Sequence, residues 1–370
     1  MIDREELSAW LRLLETPGVS RESARTLLAH FGSPEAAVNA SIAACRSVVA
    51  AGPAAALATA PPGFEARLDA AWRWLREDLA HHTVIALGDP RYPQTLLEAA
   101  DPPLLLYANG NVELLQRPAI AIVGSRNPTG QGLENARAFA AHLSHAGWVV
   151  VSGLALGIDG AAHEGALEGS AGTIAVVATG LERVYPSRHT ALAGRIAAHG
   201  LMLSEFAIGT PSLPANFPIR NRIIAGLARG TLVVEAALRS GSLITARCAA
   251  DSGREVFAIP GSIHSPQSRG CHALLKQGAK LVESAADILE ELAPVKPRSG
   301  AVDAADAAGR GERERDPVLA ALGFDPIGLD ELIARTGRSA AELSARLLDL
   351  ELEGRVSRLP GQVFQRVDRA

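Results

Sequence analysis

The chain has 370 residues, of which 48% are hydrophobic and 4% aromatic, and its formal net charge is −4. This length suits two or three domains, and this composition is sufficient for a full hydrophobic core. The net charge gives no overall electrostatic indication of nucleic-acid binding, so any basic site has to be a local cluster.

The three cysteines, Cys45, Cys248 and Cys271, are too few and too irregularly spaced to indicate a disulfide framework or a zinc site. No apolar run reaches about 18 residues without a charge or a glycine, so no membrane span is predicted. The acidic N-terminal stretch does not resemble a signal peptide. We expect a soluble cytoplasmic protein with no metal site.

Residues 1–80 predict a module of short helices. Thr16–Ser20 reads as a tight turn before a helix, and Ser33 and Pro34 suit the cap and the first position of another helix. The pattern resembles a SAM-like or helix-hairpin-helix module. Ser20 stands where a DNA-binding hairpin has its second glycine, so packing or self-association is favoured over DNA contact here.

Residues 83–292 alternate apolar strands with helices, which is typical of an α/β fold with a parallel sheet covered on both faces. The clearest predicted strands are Ile120–Val123, Trp148–Val151, Ile174–Ala178, Leu201–Ser204, Thr231–Val234 and Val256–Ile259. Ligands in such sheets bind at the carboxyl ends of the strands. We therefore expect the functional site there.

Residues 294–315 are rich in proline, glycine, alanine and charge, and they predict a linker. Within residues 316–370, we predict a helix at Leu329–Thr336 and a second helix that begins with a capping box at Ser339–Glu342. The stretch from Val356 to Phe364 predicts a hairpin. Helix, helix and hairpin in this order indicate a winged-helix domain.

The second helix of this final domain has an acidic sequence. Its charged residues within Ala340–Glu353 are Glu342, Arg346, Asp349, Glu351 and Glu353. A winged helix that reads duplex DNA needs a basic second helix. The sequence therefore favours a protein-contact role for this domain.

The first two strands of the α/β region run into glycine-containing loops. Gly124–Arg126 lacks the glycine spacing of the dinucleotide fingerprint, which disfavours a nicotinamide cofactor and leaves a phosphate site or a plain turn. Gly153 and Gly157 let the backbone approach a ligand closely. Asp159 lies in the same loop, where we expect it to order the loop rather than to take part in catalysis.

Charged residues follow the next strands. Arg188, after Tyr185-Pro186, is equally consistent with a phosphate contact and with a solvated side chain. Glu205 and Glu235 end two further strands, where a carboxylate would repel phosphate. We therefore expect each to orient an arginine or a loop, and Glu235 could hold Arg220 or Arg222.

The stretch from Phe217 to Ala246 carries the clearest functional signal. Phe217 offers a flat face on which a base can stack, and the arginines at 220 and 222 supply forked donors for phosphate. Ser240–Ser242 precedes a helix, whose first N–H groups can bind an anion. Because several strand ends along one edge share such loops, we expect an extended cleft, which suits a polymer.

These stretches resemble the DNA-processing protein A family, also called Smf. The similar motifs are Ile122–Arg126, Ser152–His163, Gly180–Pro186, Phe217–Arg222, Val234–Ala236, Ser240–Thr245, Pro260–Gly261 and Gly278–Ala279. They cover about residues 120–285 in the family's order.

The resemblance implies an extended Rossmann-like, mostly parallel sheet that binds single-stranded DNA without sequence preference. Family members protect incoming strands and load the RecA recombinase in natural transformation or recombination. They act as homodimers, and no catalytic activity or cofactor is implied. By position, the resemblance assigns DNA contact to Gly124, Ser125, Arg126, Phe217, Arg220, Asn221, Arg222, Ser240, Gly241 and Ser242. The strand-end argument adds Gly153, Gly157 and Arg188.

Two positions depart from the family pattern, because His189 and Cys271 stand where asparagine is usual, and their contact with DNA stays open. A nucleotide phosphoribohydrolase-type enzyme with a similar sheet is the alternative. Its P-G-G-x-G-T-x-x-E signature has only Pro260–His264 as a counterpart, which lacks the second glycine, the threonine and the glutamate. A duplex-binding regulator is disfavoured by the acidic second helix of the final domain.

Overall fold

The computed structural model describes residues 2–292, 316–323 and 326–367, and the predicted linker at 294–315 lies outside the described residues. The helices are α1 (Arg4–Glu15), α2 (Arg21–Phe31), α3 (Pro34–Asn39), α4 (Ile42–Arg46), α5 (Ala51–Leu57), α6 (Phe64–Glu77), α7 (Gln94–Leu97), α8 (Gly130–His145), α9 (Ile158–Ala166), α10 (Thr190–His199), α11 (Asn216–Leu227), α12 (Ser242–Asp251), α13 (Arg269–Lys276), α14 (Ala285–Leu292), α15 (Pro317–Leu322), α16 (Leu329–Thr336) and α17 (Ala340–Leu352). Short 3-10 turns span Val112–Gln116 and Ser187–His189. The strands are β1 (His82–Ala86), β2 (Leu105–Gly110), β3 (Ala119–Val123), β4 (Val149–Ser152), β5 (Thr173–Val176), β6 (Leu201–Ser204), β7 (Gly230–Val233), β8 (Glu255–Ala258), β9 (Lys280–Leu281), β10 (Ile327–Gly328), β11 (Val356–Leu359) and β12 (Val363–Arg366).

In the described residues, the larger sheet has nine strands in the order β1-β2-β6-β5-β4-β3-β7-β8-β9. The strands from β6 to β9 along this order are parallel, and β2 and β1 extend the β6 edge in antiparallel fashion. The α/β, mostly parallel fold predicted from the sequence is confirmed. All six predicted strands are present as β3–β8, whereas β1, β2 and β9 were not among them.

The continuous apolar runs of these strands reflect burial on both faces of the sheet. Along β3, Ala119, Ala121 and Val123 belong to one hydrophobic cluster, and Ile120 and Ile122 belong to another. Successive side chains of a strand point to opposite faces, and here helices cover both. Strand β3 has β4 on one side and β7 on the other, so the order of the strands reverses at β3. Such a reversal leaves a crevice at the carboxyl ends of the strands.

The predicted N-terminal helices are present as α1–α6, and they share one hydrophobic cluster with the sheet. Trp10 and Trp74 pack in the same cluster as Tyr107 of β2 and Met202 of β6. Ser33 caps α3 by accepting a hydrogen bond from Ala36 N, as its sequence predicts. The helices of residues 1–80 therefore lie against the β2–β6 side of the sheet.

The final domain has the predicted winged-helix arrangement. Helix α16 spans Leu329–Thr336, and Ser339 and Glu342 form the capping box of α17. The hairpin β11–β12 pairs Val356 with Arg366, and β10 pairs with β12. No helix in the described part of the chain is both long and apolar enough to cross a membrane.

Candidate nucleic-acid interface

A cleft of about 780 Å³ opens at the carboxyl ends of β3 and β7, where the strand order reverses. Nine of the predicted site residues line it: Gly124, Ser125, Arg126, Phe217, Arg220, Asn221, Ser240, Gly241 and Ser242. They come from the β3–α8 loop, from the first two turns of α11 and from the start of α12. The tertiary structure thus joins three stretches that are about 90 and 20 residues apart in the sequence.

An aromatic ring with cationic neighbours forms one wall of the cleft. Phe217 is half-buried near the start of α11, and the guanidinium carbon of Arg126 lies 5.2 Å from its ring centroid. The guanidinium carbon of Arg220 lies 5.9 Å from the same centroid. The exposed Tyr185 ring stands edge-on to Phe217, with 5.7 Å between centroids. Flat π-faces and arginines in this proximity suit bases and phosphates together.

Arg220 is a buried cation beneath this wall. Its Nη1 donates hydrogen bonds to the carbonyl oxygens of Gly153 and Val176. Burial lowers the pKa of Arg220 to about 10, although the nearby Asp159 carboxylate acts in the opposite direction. An arginine side chain keeps its proton at neutral pH. Arg220 therefore holds α11 in place and puts a positive charge close to the base of the cleft.

Gly153 and Gly157 support the cleft without lining it. A Cβ atom on Gly153 would lie 2.1 Å from Nη1 of Arg220, so a larger residue would displace the buried guanidinium. Gly157 has φ of +81°, and a Cβ atom there would lie 2.4 Å from the carbonyl oxygen of Ser125. The predicted close backbone approach is present at both glycines, but it is an approach to protein atoms.

Glu235 fixes the loop that carries Arg126. Thr129 donates to its carboxylate from N at 2.9 Å and from Oγ1 at 2.6 Å, and Ser125 N donates to its carbonyl oxygen at 2.7 Å. The expectation that Glu235 could hold Arg220 or Arg222 was wrong, because its carboxylate points to the start of α8. Arg126 is exposed and has no ion pair within the described residues, so its guanidinium is available to a ligand.

Small polar residues form a further part of the cleft lining. Ser240 Oγ and Ser242 Oγ are 2.7 Å apart, and Asn221 Nδ2 donates to Gly241 O at 3.2 Å. Asn221 thereby ties α11 to the start of α12, whose N-terminal turn lines the cleft. A helix N-terminus carries a partial positive charge, which favours an anion.

The structure corrects the placement of Arg222, which does not line the cleft. It lies two residues after Arg220 on α11, so it points to another side of the helix. Its guanidinium pairs with the Glu205 carboxylate and bonds to the backbone oxygen of Asp101. Glu205 thus orients an arginine, as expected, and Arg222 fastens α11 to the loop before β2.

Three further residues lie outside the cleft lining. Arg188 is exposed in the 3-10 turn before α10. His189 Nδ1 forms a hydrogen bond of 3.0 Å with the carbonyl oxygen of Leu154. Cys271 is buried, its thiol donates to the carbonyl oxygen of Val233, and burial raises its pKa to about 12. Cys271 is therefore a core residue.

Arg239 and Tyr185 are among the cleft-lining side chains that sequence reasoning missed. Arg239 is exposed and has no ion pair within the described residues, and Tyr185 is exposed beside Phe217. Arg239 directly precedes the serine turn, so its position was already a signal. Tyr185 belonged to a recognised motif, and the scarcity of aromatic residues could have singled it out.

Asp159 and His163 hold the loop after β4. Asp159 Oδ2 accepts from Gly153 N at 3.2 Å and from Ala155 N at 3.4 Å, so it orders the loop as predicted. His163 Nε2 accepts from Leu154 N, and its Nδ1 lies 2.7 Å from Thr173 Oγ1. Because Thr173 Oγ1 donates to Val150 O, His163 is neutral with its proton on Nδ1. Burial lowers its pKa to about 3.

Two protein-family models match the chain. The family model "DNA recombination-mediator protein A" matches residues 83–293, and "DprA winged helix domain" matches residues 302–362. The chain is 41% identical over 297 residues to Protein Smf of Escherichia coli (strain K12), covering 78% of each.

The solved structures that are similar to the chain include two of DNA processing protein A. One is DNA processing protein A from Streptococcus pneumoniae, with a TM-score of 0.64 and 37% identity over 78% of this chain and 98% of that one. The other is the Helicobacter pylori protein, solved to study its single-stranded DNA binding mode, with a TM-score of 0.52 and 31% identity over 57% of this chain and 95% of that one. The chain belongs to the DNA recombination-mediator protein A family.

Proposed function

We propose that the cleft binds single-stranded DNA without reading its sequence. The observation that carries this proposal is the half-buried ring of Phe217 with the unpaired guanidinium of Arg126 5.2 Å from its centroid. The ring offers a face to any base, and stacking of this kind contributes roughly 1–3 kcal/mol per base. The arginine offers donors to the adjoining phosphate.

The wider role that we propose is protection of incoming single strands and loading of the RecA recombinase during transformation or recombination. It rests on the family to which the chain belongs and on the single-stranded DNA binding of the Helicobacter pylori relative. We propose further that the protein acts as a cytoplasmic homodimer and has no catalytic activity.

Not every predicted contact residue has the same part in this proposal. Arg126, Phe217, Arg239 and the serine turn at Ser240–Ser242 meet the strand, because they line the cleft. Arg220 also lines the cleft but is buried, so it acts as a support, as do Gly153 and Gly157 outside the lining. Arg222 has its donors engaged by Glu205 and Asp101, so we assign it to positioning α11. Arg188 lies outside the cleft lining, so it would contact DNA only if the strand extends past the cleft.

Binding of a fluorescent single-stranded oligonucleotide and its duplex, measured over a salt series, tests the proposal. We expect the single strand to bind more tightly and its affinity to fall with salt. In a plot of the logarithm of the binding constant against the logarithm of the salt concentration, Arg126→Ala should make the slope less steep by about 0.7. This change corresponds to one lost phosphate contact. Phe217→Ala should weaken binding at all salt concentrations and leave the slope unchanged.

Arg46→Ala is the matched charge control, since Arg46 is exposed on α4, outside the cleft. Equal binding of both DNA forms, or parental binding by both cleft variants, would contradict the proposal. Release of free base from a nucleoside monophosphate would instead support the phosphoribohydrolase alternative. If binding behaves as expected, RecA-dependent strand exchange on a protein-coated single strand tests the loading role.

A further inference from the structure

The second helix of the winged-helix domain exposes an apolar stripe. Leu352 is 80% exposed, the highest value for a large apolar side chain in the described residues, and Leu348 is 56% exposed. Ala341 and Ala345 are exposed on the same helix. The spacing of these four residues repeats every three or four positions, so at about 100° per residue they share one face of α17.

This stripe is not the face that holds the domain together. Leu343, Leu347 and Leu350 of α17 are buried in the domain core. The exposed stripe is on the opposite side and extends for about 16 Å along the axis. Leu348 and Leu352 are four residues apart and exposed to solvent. Anchor residues with this spacing are typical of the way one amphipathic helix recognises another.

The border of the stripe is acidic. By the same helical geometry, Glu351 lies on one side of it, and Asp349 and Glu353 lie on the other. Arg346 is the basic residue of α17, and its guanidinium is occupied by Asp316, Asp349 and Glu353. A phosphate backbone would therefore meet repulsion here, whereas a basic segment would meet complementary charge.

We propose that this face of α17 docks a basic amphipathic helix of a partner protein. The two leucines bury against apolar residues of the partner helix, and the acidic border pairs with its lysines or arginines. The site is separate from the cleft and does not depend on single-stranded DNA binding. The winged-helix domain then connects the protein to another protein rather than to duplex DNA.

The test uses the full chain and a labelled synthetic peptide of about 18 residues, with leucines at helical i, i+3, i+4 and i+7 spacing and lysines elsewhere. One control peptide has the same composition with the leucines spread around the helix, and another has glutamate in place of lysine. We expect the first peptide to bind at least about tenfold more tightly than either control in fluorescence anisotropy.

Leu352→Asp should weaken binding of the first peptide at least about tenfold. Leu79→Asp is the matched control, because Leu79 is 51% exposed outside the winged-helix domain, and it should bind like the parent. Both variants should keep the parental circular dichroism spectrum and the parental affinity for single strands.

Three results would overturn the proposal. The first is equal binding of the three peptides or parental binding by Leu352→Asp. The second is direct binding of a labelled duplex oligonucleotide that Leu352→Asp abolishes, which would identify α17 as a DNA surface. The third is a change of oligomeric state in Leu352→Asp by sedimentation, which would show that a second copy of the chain covers the stripe.

Discussion

The cleft and the α17 surface both present apolar side chains to solvent, but the charges around them have opposite sign. Arg126 and Arg220 stand around Phe217, and Arg239 lines the same cleft. Around Leu348 and Leu352 stand carboxylates, and Arg346 of the same helix is paired. An exposed apolar group therefore does not identify its ligand. The surrounding charge decides whether a nucleic acid or a basic protein segment can approach.

The two regions also differ in what lies beneath the surface. Under the cleft, the polar groups of Arg220, Asp159 and His163 are buried and bonded largely to backbone atoms. Under the α17 stripe lies an apolar core built around Leu343 and Leu347. The cleft is thus held in shape by a hydrogen-bonded layer, and changes in that layer should have the largest effects.

Arg220→Ala is the strongest test of the buried layer. It leaves the carbonyl oxygens of Gly153 and Val176 without their donor and opens a cavity, so we expect the free energy of unfolding to fall by about 3 kcal/mol. Arg126→Ala, at an exposed position, should stay within about 0.5 kcal/mol of the parent. Urea unfolding measures both, and equal stability of the two variants would refute the supporting role of Arg220.

The buried layer should also give the protein a pH dependence. His163 has a pKa of about 3 in the folded protein because it is buried, whereas the ordinary value is near 6.5. Below pH 6.5 the unfolded chain takes up a proton that the folded protein does not. The free energy of unfolding should therefore decrease by about 2 kcal/mol between pH 7 and pH 5, and this contribution should level off near pH 3.

His163→Gln should remove that part of the pH dependence, while His264→Gln, at an exposed position, should keep it. Urea unfolding at a series of pH values compares the three proteins. Parallel profiles for the parent and His163→Gln would contradict the assignment of a neutral, buried imidazole.

Substitutions of Phe217 test whether its ring stacks on a base or only packs against the protein. Phe217→Leu keeps an apolar side chain but removes the flat face, so we expect affinity for single-stranded DNA to fall about tenfold. Phe217→Tyr keeps the face and should bind within about twofold of the parent. If leucine and tyrosine bind equally well, the ring serves packing and not base stacking.

Reversal of charge at α17 should have the smallest effect. With Glu351→Lys and Glu353→Lys together, the border of the stripe becomes basic, and we expect duplex DNA to bind a few-fold more tightly at low salt only. Single-strand binding at the cleft should not change. Unchanged duplex affinity at low salt would mean that the acidic border is not what keeps duplex DNA away.

Local sequence signals predicted much of the architecture. Six buried strands were visible as short apolar runs, and the capping box of α17 and the hairpin β11–β12 were visible from their residues alone. The two-residue edge strand β9 was missed, and so were β1 and β2. Strands β1 and β2 pair antiparallel at the margin of a parallel sheet, and nothing local distinguishes them from other apolar segments.

The candidate site was predicted as a set of stretches, but the role of each side chain depended on its surroundings. Arg220 and Arg222 have the same chemistry and lie on the same helix. One is buried beneath Phe217, and the other is paired with Glu205. Cys271, which stands where the family usually has asparagine, is a core residue.

By itself, the sequence determined the apolar strands, the helix caps and the residue types that can meet a base or a phosphate, because these depend on neighbours within a few positions. The tertiary structure alone decided the strand order, the joining of three distant loops into one cleft, and the partner of each arginine. It also decided that Leu348 and Leu352 face solvent while Leu347 and Leu350 face the core. The physical reason is that burial and pairing are set by contacts between residues far apart in the chain.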